Sequence, residues 1–327
     1  MTVEPETVYR AALIGLGRVA WKYDAARGQS ETVLSQAGAM LKNPAVELLG
    51  GCSPLKADRD GFVAWAPGLK VYERAEEMLA GLRPDLVGIC SPTGGHFRQA
   101  RLCLEAGVRA LWLEKPPTES PAELEELISL AGDKQAVVGV NYTRRYLPGY
   151  ARLRELLAGR AYGPCRLIRL LYSPGLARNG VHLLDQLFYL TGAGGYELLW
   201  SEAGAGPSPC FVLRLSTGHL VQGAGGDWPY HSNDLELVCD NGLLAIIRGG
   251  KTGRAEKMAE NDLFPGFYDL RDDQEAPLGR LGLEGYMEAA LDDIVACLAR
   301  GGRPRSNLET ARLSQRLLND ILTGAGT

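Results

Sequence analysis

Short apolar runs alternate with amphipathic stretches through the first part of the chain. Residues 8–15, 46–52, 85–91, 110–114 and 136–141 are apolar, too short for helices and bounded by turn residues, so each is expected as a buried strand. Helical spacing separates several of them. Between 96 and 106, Phe97, Ala100 and Leu104 share one stripe that stops at Gly107. Ser120, Pro121 and Glu123 spell a capping box ahead of Leu124, Leu127, Ile128 and Ala131. Strand, helix and strand repeated in this way predict a doubly wound parallel sheet, covered on both faces, over residues 1–143.

The pattern changes after Asn141. A helix is expected at 150–157, a strand at 166–172 and a helix at 181–190, followed by short strands at 211–215, 220–224, 235–239 and 243–247. Thr217-Gly218 and Asp240-Asn241-Gly242 are turn signals at two of the junctions, and strands joined so tightly run antiparallel. Residues 144–327 are therefore expected as an α+β domain with an open, largely antiparallel sheet. An uncovered sheet face commonly meets a partner subunit, which predicts a homodimer or homotetramer. Glycine and charge crowd residues 249–282, read as a long mobile excursion. Tyr286, Ala290, Ile294 and Leu298 form the stripe of one closing helix. Ser306 opens a cap for another, backed by Leu313, Leu317 and Ile321, and both helices are candidates to pack on the first domain.

Composition narrows the classes. A chain of 327 residues with 46% hydrophobic content can fill two cores, and a formal charge of −4 with both signs well mixed offers no face built for nucleic acid or anionic lipid. The first residues lack the basic and apolar regions of a signal peptide, and no apolar run approaches a membrane span, so a cytoplasmic location is expected. Seven cysteines stand singly without a C-x-x-C pair, and the four histidines lack metal-ligand spacing. Reduced thiols and a metal-free site are the expectation.

The first strand runs into G-x-G-x-x-A. Gly15 permits a tight turn, Gly17 lets backbone amides approach a pyrophosphate, and Ala20 allows close helix packing, with Arg18 and Val19 at the helix head. An ordinary glycine turn would look the same in isolation. Its place at the end of the first strand of an alternating region points to a Rossmann-like dinucleotide site. The acidic residue expected at the end of the second strand is missing, and Ser53 stands there with Lys56 and Arg59 just beyond. A hydroxyl followed by cations leans toward the 2′-phosphate of NADP, although Lys56 and Arg59 equally fit a solvated helix face. Residues 21–35 lengthen the usual separation between turn and second strand.

Leu113, Glu114, Lys115 and Pro116 end the strand at 110–114. Ligands of open parallel sheets sit outside the carboxyl ends of the strands, so Lys115 lies on the cofactor side. Beside an oxidised nicotinamide its pKa would fall, which suits it to exchange a proton with a substrate hydroxyl; a plain surface lysine is the other reading.

Taken together, the Gly15-x-Gly17-Arg18 turn, the run Ser91-Pro92-Thr93-x-x-His96 and the triplet Glu114-Lys115-Pro116 resemble the Gfo/Idh/MocA oxidoreductase family. Asn141-x-x-Arg144-Arg145 and the run from Gly180 through His182 to Asp185 extend the similarity over nearly the whole chain. The resemblance implies oxidation or reduction of a secondary alcohol on a sugar, sugar acid or polyol with NAD or NADP. It implies that Lys115 transfers the proton and that His182 is the second polar group at the substrate carbon. It further implies that Ser91, Pro92, His96 and Glu114 line the dinucleotide, and that Arg145 lies near the substrate or nicotinamide edge. From the residues alone, His182 also fits a structural histidine heading a core helix, and Asp185 could orient it or favour the helix N-terminus.

One departure matters. The family carries an aspartate four residues before this histidine, where this chain has Arg178 followed by Asn179. A cation cannot accept the hydroxyl proton. Either Lys115 and His182 suffice with Asn179 bonding the substrate, or Arg178 points away, or Arg178, Arg144 and Arg145 receive an anionic sugar. A dinucleotide-binding sensor without turnover is the alternative class.

Overall fold

Six parallel strands build the first sheet: β1 (Tyr9–Ile14), β2 (Val46–Cys52), β3 (Lys70–Tyr72), β4 (Leu86–Ile89), β5 (Ala110–Leu113) and β6 (Val137–Val140). The computed structural model describes residues 7–27, 32–204, 206–276, 278, 281, 282 and 284–324. Strand order is β3-β2-β1-β4-β5-β6, so the chain reverses direction across the sheet at the β1–β4 neighbours. A crevice outside the carboxyl ends of the strands opens at such a point. β4 and β5 are buried along their whole length, as strands covered on both faces must be. The covering helices of the first unit begin with α1 (Tyr23–Ala25), α2 (Gln36–Lys42), α3 (Lys56–Trp65), α4 (Ala75–Leu82), α5 (His96–Glu105) and α6 (Pro121–Asp133). The Ser120 capping box is formed at the head of α6.

β3 was not expected. It has only three residues, none of them fully buried, too little pattern to stand out. The segment after the glycine turn also differs from a simple helix, since residues Arg18–Lys22 wind as a π-helical turn before α1. Trp21 explains part of the added length: its indole packs among Phe62 and Trp65 of α3 and donates to the Leu16 carbonyl at 2.9 Å. Asp24 accepts from Leu34 N at 2.7 Å and from the Ser35 hydroxyl, so the segment is tied to the start of α2.

The second sheet has eight strands: β7 (Cys165–Ser173), β8 (Tyr196–Ser201), β9 (Phe211–Leu215), β10 (Leu220–Gly225), β11 (Ser232–Cys239), β12 (Gly242–Ile247), β13 (Thr252–Glu260) and β14 (Tyr268–Asp272). Their order is β14-β13-β12-β11-β7-β10-β9-β8, antiparallel except for the β7–β10 pair. Ile168, Leu170, Val221, Leu235 and Leu237 are buried on one face, whereas Leu171 and Arg169 point to the open one. α7 (Pro148–Ala158) and α8 (Val181–Thr191) complete this part.

One expectation needs correction here, and one further strand was not foreseen. Residues 249–282 are not a mobile excursion where they are described, because β13 and β14 form an antiparallel hairpin that extends the sheet from β12. Every residue of β14 is exposed, so the hairpin lacks the buried alternation that would have revealed it. β8 was missed as well, having one buried position among six. Residues 277, 279 and 280 lie outside the described ones.

Two helices close the chain, α9 (Tyr286–Arg300) and α10 (Leu308–Thr323). The first compact unit comprises Met1–Thr143 with Leu283–Arg312, and the second Arg144–Gly282 with Leu313–Thr327. α9 packs on α2, β5 and β6 of the first unit. The cap of α10 is Asn307, whose Oδ1 accepts from Thr310 N at 2.9 Å. Ser306, expected in that role, is fully buried and donates its hydroxyl to the Val140 carbonyl instead.

Candidate active site

The glycine turn is held by geometry that excludes a side chain at one glycine and invites a ligand at the other. Gly15 has φ +85°, and a Cβ there would stand 2.6 Å from Ser91 N. Its own N–H donates to the Cys52 carbonyl at 2.9 Å, so β1, β2 and the loop after β4 meet at this residue. Gly17 is the opposite case, since a Cβ would find nothing within 4 Å. That open space, with backbone amides of the Arg18–Lys22 turn behind it, fits a pyrophosphate. Ala20 is fully buried, as close packing needs.

A cleft of about 740 Å³ lies over the carboxyl ends of β1, β2 and β4. Gly15, Gly17, Ser53, Ser91 and Pro92 line it, five of the residues expected to hold a dinucleotide. Arg18 is exposed and Val19 half-buried, and neither is among the lining residues. Lys56 is also outside, 79% exposed and paired with Asp60. Asp58 lines the cleft and escaped the sequence analysis, although its signal was present: an acid in the first turn of the helix that follows β2.

His96 and Glu114 shape the loops at the strand ends rather than the cleft wall. His96 is 1% exposed, with Nδ1 2.9 Å from the Pro116 carbonyl and Nε2 2.8 Å from the Ser91 carbonyl. It thus ties the loop after β4 to the loop after β5. Burial pushes its pKa below the ordinary value, against the two carbonyl contacts and aided by Lys115. Glu114 is buried at the end of β5, accepting from Gln36 Nε2 at 3.1 Å and from the Asn141 amide. Asn141 in turn accepts from Trp112 Nε1 at 3.0 Å. Burial raises the Glu114 carboxyl, opposed by Lys115 and by these donors. Lys115 follows directly, half-buried, its backbone N–H 3.4 Å from Glu114 Oε2. The carboxylate beside the lysine is therefore held by Gln36 at the head of α2 and by Asn141, the residue after β6.

In the second unit, Arg145 and Asp185 are bound to one another, with guanidinium-to-carboxylate distances of 2.8–3.1 Å. Asp185, the candidate to orient His182 or to favour the helix start, binds Arg145 through its carboxylate. His182 is half-buried at the second residue of α8. Arg178 is exposed on the π-helical turn Leu176–Gly180. Asn179 donates its amide to the Ser173 carbonyl at 2.7 Å, and its own carbonyl accepts from Asn233 at 3.0 Å, so it braces the end of β7. Among the described residues no group of three or more His, Cys, Asp or Glu side chains could hold a metal ion. No described helix is long and apolar enough to cross a membrane.

A doubly wound parallel sheet with an open glycine turn at its switch point is the architecture of the Rossmann class. Residues 9–142 match the GFO_IDH_MocA family, the oxidoreductase family with an NAD-binding Rossmann fold, and that segment belongs to it. The D-glucoside 3-dehydrogenase of Escherichia coli is 25% identical over 202 residues, 56% of this chain, so the chain spans about half (54%) of that relative's length. The rhizopine catabolism protein MocA of Rhizobium meliloti is 24% identical over 91% of this chain and 89% of its own. Among solved structures, a 3-ketoreductase from Actinomadura kijaniata in complex with TDP-benzene and NADP shares the fold, with a TM-score of 0.77, 17% identity and 98% coverage of both chains.

Proposed function

We propose that the protein is an NAD(P)-dependent oxidoreductase that interconverts a secondary alcohol and a ketone on a sugar, sugar acid or polyol. The observation that carries this reading is the placement of Lys115 at the carboxyl end of β5, in the sheet whose β1, β2 and β4 ends form the dinucleotide cleft. The bound dinucleotide supplies the acceptor or donor for the hydride of the carbinol carbon. Lys115 takes the hydroxyl proton on oxidation and returns it on reduction. Glu114, anchored by Gln36 and Asn141, fixes the backbone from which the amine reaches. His182 is assigned as the second polar group at the substrate oxygen, a role that rests on its motif.

The names of the relatives favour a sugar substrate, one being a D-glucoside dehydrogenase. Arg145 is bound to Asp185, and Arg178 with Arg144 is the sequence feature that suggests an anionic sugar. Arg178 in the aspartate position also supports the second reading, a dinucleotide-binding sensor. A panel of neutral and acidic sugars mixed with the cofactor separates the two: an enzyme changes the reduced-nicotinamide absorbance with at least one sugar, whereas a sensor binds without change. The open face of the second sheet, bearing Arg169 and Leu171, is proposed as the surface of a homodimer or homotetramer, to be checked by light scattering.

A further inference from the structure

We propose that Asp58 selects NAD over NADP, taking the place of the acidic residue absent from the end of β2. The assignment rests on the dinucleotide function proposed above. β2 ends at Cys52, and Ser53, 3% exposed, holds the position from which a carboxylate reaches the adenosine ribose in NAD-binding sheets. Ser53 Oγ accepts from Leu55 N and donates to Asp58 Oδ2, both at 3.3 Å. The turn into α3 therefore brings a carboxylate back to the strand end by a detour through the helix. Asp58 lines the cleft beside Gly15, Gly17 and Ser53, with its side chain 16% exposed, and its other oxygen lies 2.5 Å from Lys22 Nζ.

The cations that suggested a 2′-phosphate already have protein partners. Lys56 is outside the cleft wall and pairs with Asp60 at 2.6 Å. Arg59 Nη1 donates to the carbonyls of Ser53 and Pro54 at 2.7 and 3.0 Å, while its Nη2 lies 3.6 Å from Glu73. Arg74 and Arg98 do line the cleft. Arg74 stands 3.5 Å from Glu76, a carboxyl held below its ordinary value by its own backbone amide first and then by Arg74 and Arg98. A ribose 2′-hydroxyl can donate to Asp58. A 2′-phosphate would bring only acceptor oxygens and like charge against it.

The test is calorimetric titration of the wild-type chain and Asp58→Asn with NADH and with NADPH, which reads binding without turnover. Wild type is expected to bind NADH about 10-fold or more tighter than NADPH, and Asp58→Asn to bring the two within about threefold. Circular dichroism checks that the variant folds, and if it does not, the wild-type ratio alone decides. Tighter binding of NADPH by wild type, or an unchanged ratio in a folded Asp58→Asn, overturns the assignment while leaving the dinucleotide function standing. Binding of neither ligand overturns the function itself.

Discussion

Arg145 and Asp185 form a buried ion pair, with side chains only 8% and 2% exposed and the guanidinium gripping one carboxylate from two of its nitrogens. The Arg145 guanidinium also lies over the Tyr189 ring, 5.3 Å from its centroid. Burial pushes the Asp185 carboxyl above its ordinary value, against the opposing pull of Arg145 and Arg144. The pair joins the segment before α7 to α8, the helix that begins with the His182 region.

Removing one partner leaves a buried charge uncompensated, so Asp185→Ala is expected to destabilise the second unit by about 3–5 kcal/mol in urea unfolding. Replacing both partners with apolar residues, Arg145→Met with Asp185→Leu, should cost less than the single change. A direct substrate role for Arg145 makes a different forecast: Arg145→Lys would raise KM for acidic sugars while leaving the unfolding midpoint unchanged. An unchanged midpoint with altered KM would count against the structural role.

The two glycines of the turn should respond differently to the same substitution. Gly15→Ala places a Cβ 2.6 Å from Ser91 N at φ +85°, so both stability and dinucleotide binding should fall. Gly17→Ala meets nothing in the folded chain, and the unfolding free energy is expected to change by no more than about 1 kcal/mol. Its methyl group does enter the space assigned to the pyrophosphate. Affinity for NADH should therefore drop at least about tenfold, measured by calorimetry, in a protein of normal stability.

The strands at 46–52 and 110–114, the Ser120 cap and the glycine turn were all legible because each depends on local pattern: a buried run, a capping box, a fixed spacing. β14 was not, since its five exposed residues carry no buried alternation and gain their pairing only from β13. The same division runs through the candidate site. Gly15, Gly17 and Ser53 could be placed on the cleft from order along the chain, because strand ends are local features. That Asp185 would be taken by Arg145, 40 positions away, depends on how the segment before α7 meets α8, which no spacing encodes. Gln36 escaped for the same reason: its amide finds Glu114 at a separation of 78 positions.

If Lys115 carries the proton, Lys115→Met should lower kcat by about 10²–10⁴-fold while the affinity for the dinucleotide stays within about threefold. Steady-state rates on an identified sugar, set beside calorimetric titration with NADH, give the two numbers. Full turnover in the variant would remove Lys115 from the chemistry. A parallel loss of binding would instead assign it to holding the cofactor.

His96 provides a test of sign. Its two ring nitrogens face the carbonyls of Ser91 and Pro116, so an imidazolium could donate to both and a neutral ring only to one. Burial opposes the charged form, and the direction of the shift is downward from 6.5, with Lys115 adding to it. A group whose folded value is depressed binds fewer protons folded than unfolded between the two values, so its stabilising effect is complete above pH 6.5 and lost as pH falls through the lower folded value. The variant His96→Asn keeps a hydrogen-bonding side chain and does not titrate. Wild type minus variant, measured as unfolding free energy across pH, should be flat above 6.5 and shrink below it, by at most about 1.4 kcal/mol per pH unit. If the difference grew on acidification, the imidazolium would be bridging both loops, and the charged ring would be the form that ties Ser91 to Pro116.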